Sequence, residues 1–342
     1  MRSVRRTLSV SVSTIALAAA SSAALAADLP VKAPPVTPPP RDLWTWWFEG
    51  GAFRTEQDAL FGLSAPLTGI SPKWGWEAAV GFDYRMAAFS PYHLSGQFRY
   101  GAAKRSSGLF TRTESFFGHT SNGTPGSRST SPIVGTGTGS GQVKEHHWLV
   151  DFAVGRDFAL GTGMTQVKFG VRVAELYSKL TANEFFLGSF GPGSTTVSGN
   201  ISFSNRSKFL GVGPRLGIDG SVPIGGSWSL DYLGGVAVLI GQRKLDATTS
   251  TAQLLYNGGP TTIILDSSSA SSLSSSNTAA IFNLDAQLGI SYWVTRTFKM
   301  TASYRFDGYF NALTTINQNG STSNEDRFYH GPMLRATVLF GG

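Results

Sequence analysis

The 342-residue sequence contains no cysteine, so disulfides, thiolate metal sites and cysteine nucleophiles are excluded together. Charge is scarce as well: Asp, Glu, Lys and Arg make up 14% of the chain, against about 25% in ordinary soluble domains. Past residue 26 no stretch approaches the roughly 20 consecutive apolar residues of a membrane-crossing helix, which excludes a helical membrane protein. Three of the seven net positive charges are Arg2, Arg5 and Arg6, and the +4 left without them gives no reason to expect a nucleic-acid partner. What is abundant is glycine, at 41 residues, and aromatic side chains, at 12%. That mixture suits many strands joined by tight turns and anchored by rings.

The first residues read as an export signal. Arg2, Arg5 and Arg6 precede the small, apolar run TLSVSVSTIALAAASSA, and ALA at 24–26 fits the small-x-small cleavage pattern. Residues 1–26 are therefore expected to be a cleaved signal peptide. No cysteine follows the cleavage point, so no lipid is attached there. In DLPVKAPPVTPPPRD, six prolines between Pro30 and Pro40 prevent helix and central strand and favour an extended, solvated segment. Residues 27–43 thus read as a proline-rich periplasmic arm ahead of a domain at 44–342.

Apolar residues then recur at every second position, the period at which side chains face opposite sides of a sheet. The pattern predicts ten strands, near 44–57, 74–89, 93–105, 142–158, 164–181, 202–221, 227–246, 278–294, 297–312 and 326–340. Their connections alternate in length. SPYH, LGTG, PIGG and VTRT are short, whereas 58–73, 106–141, 182–201, 247–277 and 313–325 are long and rich in Ser, Thr, Gly and Asn. This is the connectivity of an all-β, up-and-down antiparallel barrel crossing a bacterial outer membrane, with short periplasmic turns and long extracellular loops.

One register of these strands is apolar: Trp74, Trp76, Val80 and Phe82; Trp148, Val150, Phe152 and Val154; Phe282, Leu284, Leu288 and Ile290. The opposite register carries eight acids, Glu49, Glu77, Asp83, Asp151, Asp219, Asp231, Asp285 and Asp307, and nine bases, Arg85, Arg99, Lys168, Arg172, Arg215, Arg243, Lys299, Arg305 and Arg335. An apolar face toward lipid and a charged face toward a lumen account for both registers. A closed barrel is the strand arrangement that satisfies every backbone hydrogen bond in hydrocarbon. About ten strands enclose little open space, so the seventeen charges are expected to pair with one another across a narrow lumen.

GVGPRLGIDGSVPIGGSWSLDYLGGVAVLIG (211–241), HWLVDFAVGRDFALG (147–161) and the ending HGPMLRATVLF (330–340) resemble the pore-forming, major-outer-membrane-protein-like barrel family. The resemblance runs from residue 44 to the end and implies an outer-membrane barrel, nominally a porin. It also implies that a terminal aromatic, here Phe340, is the signal read by the barrel-assembly machinery.

Catalytic signals are few. His146 and His147, beside Glu145 and Asp151, are a candidate acid–base pair at the outer rim, but neighbours in a strand face opposite ways, so only one can reach the lumen. There is no G-x-S-x-G. Pro214 and the continuing alternation make GVGPRLG a strand rather than a phosphate loop. Asp246, Asp266, Glu325 and Asp326 lack the alternating series of a calcium loop. The sequence therefore reads as a non-enzymatic barrel without metal or cofactor, a narrow channel or an envelope structural protein. Its expected partners are outer-membrane lipid, the assembly machinery and small solutes or ions. A rim hydrolase and a surface binder acting through its long loops are the alternatives.

Overall fold

The computed structural model describes residues 43–56, 74–87, 90–106, 110–121, 128–160, 163–189, 195–257, 263–316 and 322–340. The expected signal peptide, the proline-rich arm up to residue 42 and the two final glycines lie outside them. Eleven antiparallel strands are described: β1 (Trp44–Glu56), β2 (Gly75–Arg85), β3 (Tyr92–Ser106), β4 (Phe110–Ser121), β5 (Arg128–Leu160), β6 (Gly163–Ser189), β7 (Thr195–Gly225), β8 (Trp228–Asn257), β9 (Ile263–Trp293), β10 (Phe298–Ile316) and β11 (Thr322–Phe340).

Ten of them close a ring. Each strand pairs with its neighbour in sequence, except that β3 pairs directly with β5, and β1 closes against β11 from Trp44↔Phe340 to Glu56↔Phe328. β4 stands outside the ring and pairs with the far end of β5, from Phe110↔Gly139 to Ser121↔Arg128. Closure leaves no strand edge in the membrane, as hydrocarbon requires. The outward face is apolar: Trp76, Phe152, Phe169, Leu216, Ile240, Leu288 and Leu334 are all exposed on it. At the short-turn end Gly225 (φ 136°) and Gly226 (φ 55°) form the β7–β8 turn, a conformation that a side chain would oppose.

The expectation for three of the long connections is corrected. Segment 106–141 contains β4 and the outer half of β5, while 182–201 and 247–277 are largely continuations of β6 to β9. These strands run to 33, 27, 31, 30 and 31 residues, where about 9–11 suffice to cross a bilayer. Beyond the membrane both faces of a sheet can meet water, so apolar alternation disappears while Ser and Thr still suit the extended chain. The tract SSSASSLSSS (267–276) pairs with β8 in this way.

β10 leaves the cylinder. Its pairing with β9 stops at Phe310, and its register with β11 shifts between Tyr309 and Leu313, around Asn311 at φ 54°. The Asn311 N–H donates to Oδ1 of Asp326 at 2.7 Å. Past the bulge the strand reaches across the lumen, where the Thr314 N–H donates to Oγ of Ser207 on β7 at 2.9 Å.

Candidate functional site

The inward faces of the ring form successive layers. Nearest the short turns lies a cavity of about 280 Å³, with Asp83, Lys168, Asp219, Asp231, Lys299 and Arg335 among its walls. Asp231 accepts from Nζ of Lys299 and from the hydroxyls of Ser221 and Ser291, each at 2.6 Å. Lys168 lies between Asp219 at 2.9 Å and Asp83 at 3.5 Å. His93, fully buried, turns Nδ1 to Asp83 at 2.8 Å, and Arg85 pairs with Asp157.

The middle layer is a girdle of five guanidinium groups and five carboxylates. Arg172 holds Asp151 and Asp285, and Arg215 donates to Asp285 at 3.0 Å and lies 3.4 Å from Asp151. Arg305 pairs with both Glu49 and Glu77, Arg99 with Asp307 at 2.5 Å, and Arg335 with Glu49 at 2.9 Å. Gln287 and Asn283 occupy further acceptors and donors: Nε2 of Gln287 donates to Glu49 at 2.8 Å and Nδ2 of Asn283 to the Gly308 carbonyl at 3.0 Å. Nine of the ten ring strands give a charged side chain to the girdle. The tenth, β8, gives Gly235, where a Cβ would fall 2.7 Å from Nη2 of Arg215 and 2.8 Å from Oδ1 of Asp285. Glycine here is a matter of close approach.

Above the girdle the lumen is apolar. Phe53, Leu149, Leu176, Phe209, Leu239, Ile281, Leu313 and Met333 pack around Tyr309 and Tyr329. Phe53 meets Tyr329 edge-on at 5.5 Å, and Tyr329 lies 4.3 Å from the His147 ring. Higher again, Arg327 pairs with Glu325 at 3.0 Å and lies 3.6 Å from Glu145. Outside the lumen, toward the long loops, a hollow of about 420 Å³ lies against the extended sheet of β6 to β9, with Thr181, Asn183, Ser202 and Ser250 of the outward register in its walls.

All seventeen charges singled out in the sequence face inward, but their partners are rarely those nearest in sequence. Arg215 meets Asp285 and Asp151 whereas Asp219 goes to Lys168; Arg305 meets Glu49 and Glu77 whereas Asp307 goes to Arg99. A strand separates same-face neighbours by about 7 Å, while the closed curve brings side chains of opposite walls together at the axis. Arg243 departs from the expected ion pairing: its donors go to the Asn311 carbonyl at 2.8 Å and Oδ1 of Asn277 at 3.4 Å. Among the described residues five further inward charges were not assigned to the lumen, Glu145, Asp157, Glu184, Glu325 and Arg327. Glu145 and Asp157 lie an even number of residues from Asp151, and Arg327 from Arg335, so strict parity would have found them.

The two histidines divide as strand geometry requires. His147 points in, buried, with Nε2 at 2.8 Å from Oε2 of Glu77. His146 points out, stacked on Tyr177 at 4.4 Å and 3.6 Å from Glu175. GVGPRLG lies within β7, and a Cβ on Gly213 would come 1.8 Å from the Val238 carbonyl of β8. Among the described residues no group of three or more His, Asp and Glu could hold a metal ion.

Solved structures with a similar course include the outer membrane protease OmpT from Escherichia coli (11% identity, 88% of this chain and 98% of that one, TM-score 0.31). The transport unit of the autotransporter AIDA-I from Escherichia coli (8%, 96% and 97%, 0.30) and the deltaS2S3 mutant of the TodX monoaromatic hydrocarbon channel (10%, 87% and 91%, 0.26) are others. At such scores they carry no argument about function. No curated protein matches the sequence. The profile of the Legionella pneumophila major outer membrane protein precursor matches residues 49–340. The chain thus belongs to the family of that major outer membrane protein and is a β-barrel of the bacterial outer membrane.

Proposed function

We propose that this barrel is an envelope structural protein whose lumen is closed, and that it performs no catalysis. The observation behind this reading is the double filling of the mid-lumen: Arg99, Arg172, Arg305 and Asp285 of the girdle are each no more than 2% exposed, and an apolar layer lies on top. Ten strands leave an interior small enough for side chains to occupy. The hydrolase alternative loses its footing because His147 is enclosed by Glu77, Phe53 and Tyr329.

The cavity of about 280 Å³ on the short-turn side of the closed layers favours a second reading, a narrow channel that opens for small solutes or ions. Planar-bilayer recording of the refolded, full-length protein separates the two. Silence across the accessible voltage range supports the closed structural barrel. Large, stable conductance steps overturn it in favour of the channel.

A further inference from the structure

The outward face at the long-loop end of β3 and β5 to β8 carries an arrangement that the closed lumen does not explain. Lys104 stands directly opposite Lys144, Lys144 opposite Lys179, and Lys179 opposite Arg206, so four cations line up across four adjacent strands. One step nearer the membrane, Lys208 stands opposite Lys244. Directly opposed side chains lie with Cβ atoms about 4.5–5.5 Å apart, and like charges in that relation destabilise a sheet.

Among the described residues, local acids do not neutralise the patch. Glu175 takes Lys208 at 2.8 Å, and Asp246, opposite Arg206, accepts from the Ser274 hydroxyl at 2.8 Å. Six cations against these two carboxylates leave four in excess. Among the described residues Lys208 alone of the six has a carboxylate within salt-bridge range. Elsewhere on the same border the surface is balanced: Glu56 lies 3.8 Å from Arg54 and 3.4 Å from His330.

Toward the membrane the patch continues into rings and then aliphatic side chains. His146 lies between Tyr100 and Tyr177, and beyond them come the exposed Phe98, Leu210, Val212, Ile240 and Phe152. The cations thus stand where headgroups of the outer leaflet meet the apolar band. Three strand spacings separate Lys104 from Arg206, about 14 Å, more than one phosphate spans. Arg206 adds a planar fork suited to phosphate oxygens.

We propose that this face binds an outer-leaflet lipid whose headgroup bears more than one phosphate, its phosphates on the Lys104–Lys144–Lys179–Arg206 row and its acyl chains along Phe98, Val150 and Val212. The bound anions relieve the repulsion that the bare sheet carries.

The test uses the full chain refolded in detergent and titrated separately with diphosphoryl lipid A, the same lipid stripped of phosphate, inorganic phosphate and heparin. Two readouts are followed, the midpoint of the heat-induced gel-mobility change and the lipid phosphorus retained through gel filtration. Diphosphoryl lipid A alone is expected to raise the midpoint and to be retained. The quadruple variant Lys104→Gln/Lys144→Gln/Lys179→Gln/Arg206→Gln is expected to melt no lower than wild type without lipid and to lose the response. Lys144→Gln or Lys179→Gln alone should raise the half-saturating lipid concentration about fivefold, since a basic side chain near an anionic surface contributes on the order of 1 kcal/mol. Arg54→Gln is expected to respond as wild type does. An equal response from the quadruple variant, or from stripped lipid, free phosphate or heparin, overturns the proposal.

Discussion

Asp151 and Arg172 face each other across the β5–β6 ladder and share two parallel hydrogen bonds, from Nε to Oδ1 at 2.7 Å and from Nη2 to Oδ2 at 2.6 Å. The third nitrogen of the same fork, Nη1, reaches Asp285 on the far wall at 2.7 Å. One fully buried guanidinium therefore ties three strands, and the two carboxylates it holds have exchanged water for it. Arg172→Ala leaves both of them poorly compensated, which typically costs about 3–5 kcal/mol. Arg54→Ala removes a half-exposed partner 3.8 Å from Glu56 and should cost about 0–1 kcal/mol. Melting in detergent, read by gel mobility, should show a large drop for the first and almost none for the second; equal small drops would mean that water fills the girdle.

Arg215→Ala should fall between these limits. It lowers compensation of Asp285 and Asp151, but Arg172 still holds both. Combined with Arg172→Ala, its effect should be clearly greater than the sum of the two single losses, because the second removal takes the last cation. A thermal double-mutant cycle measures this, and simple additivity would show that the two guanidinium groups act independently.

Gly235 tests the packing of the girdle from the strand that gives it no charge. Its missing Cβ is the space in which Arg215 and Asp285 meet. Gly235→Ala must push apart two groups fixed by their own ion pairs, and overpacking of this kind costs about 1–3 kcal/mol. Gly234→Ala is the matched control, since a Cβ there meets only Cγ2 of Ile218 at 3.6 Å. Comparable melting of the two variants would contradict the geometry.

Much of this was legible in the sequence. The ten ring strands follow from alternation because each has lipid on one face, and the parity of that alternation assigns Glu49, Asp151 and Arg172 to the inside. Partners were not legible. Arg99 and Asp307 are 208 positions apart, and only closure brings their walls together. β4 and the outer halves of β5 to β9 were hidden for a different reason: where no lipid bounds the sheet, tracts such as SSSASSLSSS need no apolar face. The inward bulge at Asn311 left one trace, an asparagine in a strand, a residue that tolerates positive φ.

That bulge yields a further prediction. Asn311 at φ 54° carries the shift that sends Leu313 and Thr315 into the lumen. Asn311→Gly should be tolerated, whereas Asn311→Val places a β-branched residue in a left-handed conformation, which costs roughly 1–2 kcal/mol or more. Hydrogen exchange of the Thr314 amide, bonded to Ser207, should quicken in the valine variant and stay slow in the glycine one. Unchanged protection in Asn311→Val would show that the crossing of β10 does not depend on this turn.

The last prediction concerns the two closing layers, which work by different physics and so fail separately. Phe53 and Tyr329 meet edge-on above the girdle and are no more than 2% exposed. Phe53→Ala/Tyr329→Ala leaves a cavity that the surrounding strands, fixed by their hydrogen bonds, cannot collapse around, and each large deletion costs about 3–5 kcal/mol. The barrel should therefore melt much earlier. Conductance should nevertheless stay at the wild-type level, because the pairs of Arg305 with Glu49 and Glu77, and of Arg172 with Asp151 and Asp285, still fill the section below. Conversely, Arg305→Ala removes one cation from the girdle while the rings above remain, and should destabilise without opening. Only a variant combining Phe53→Ala, Tyr329→Ala and Arg305→Ala opens a path from the short-turn cavity through both layers. Single-channel recording of the three proteins should give steps in the combined variant alone, and a steady current in either of the others would show that one layer carries the closure by itself.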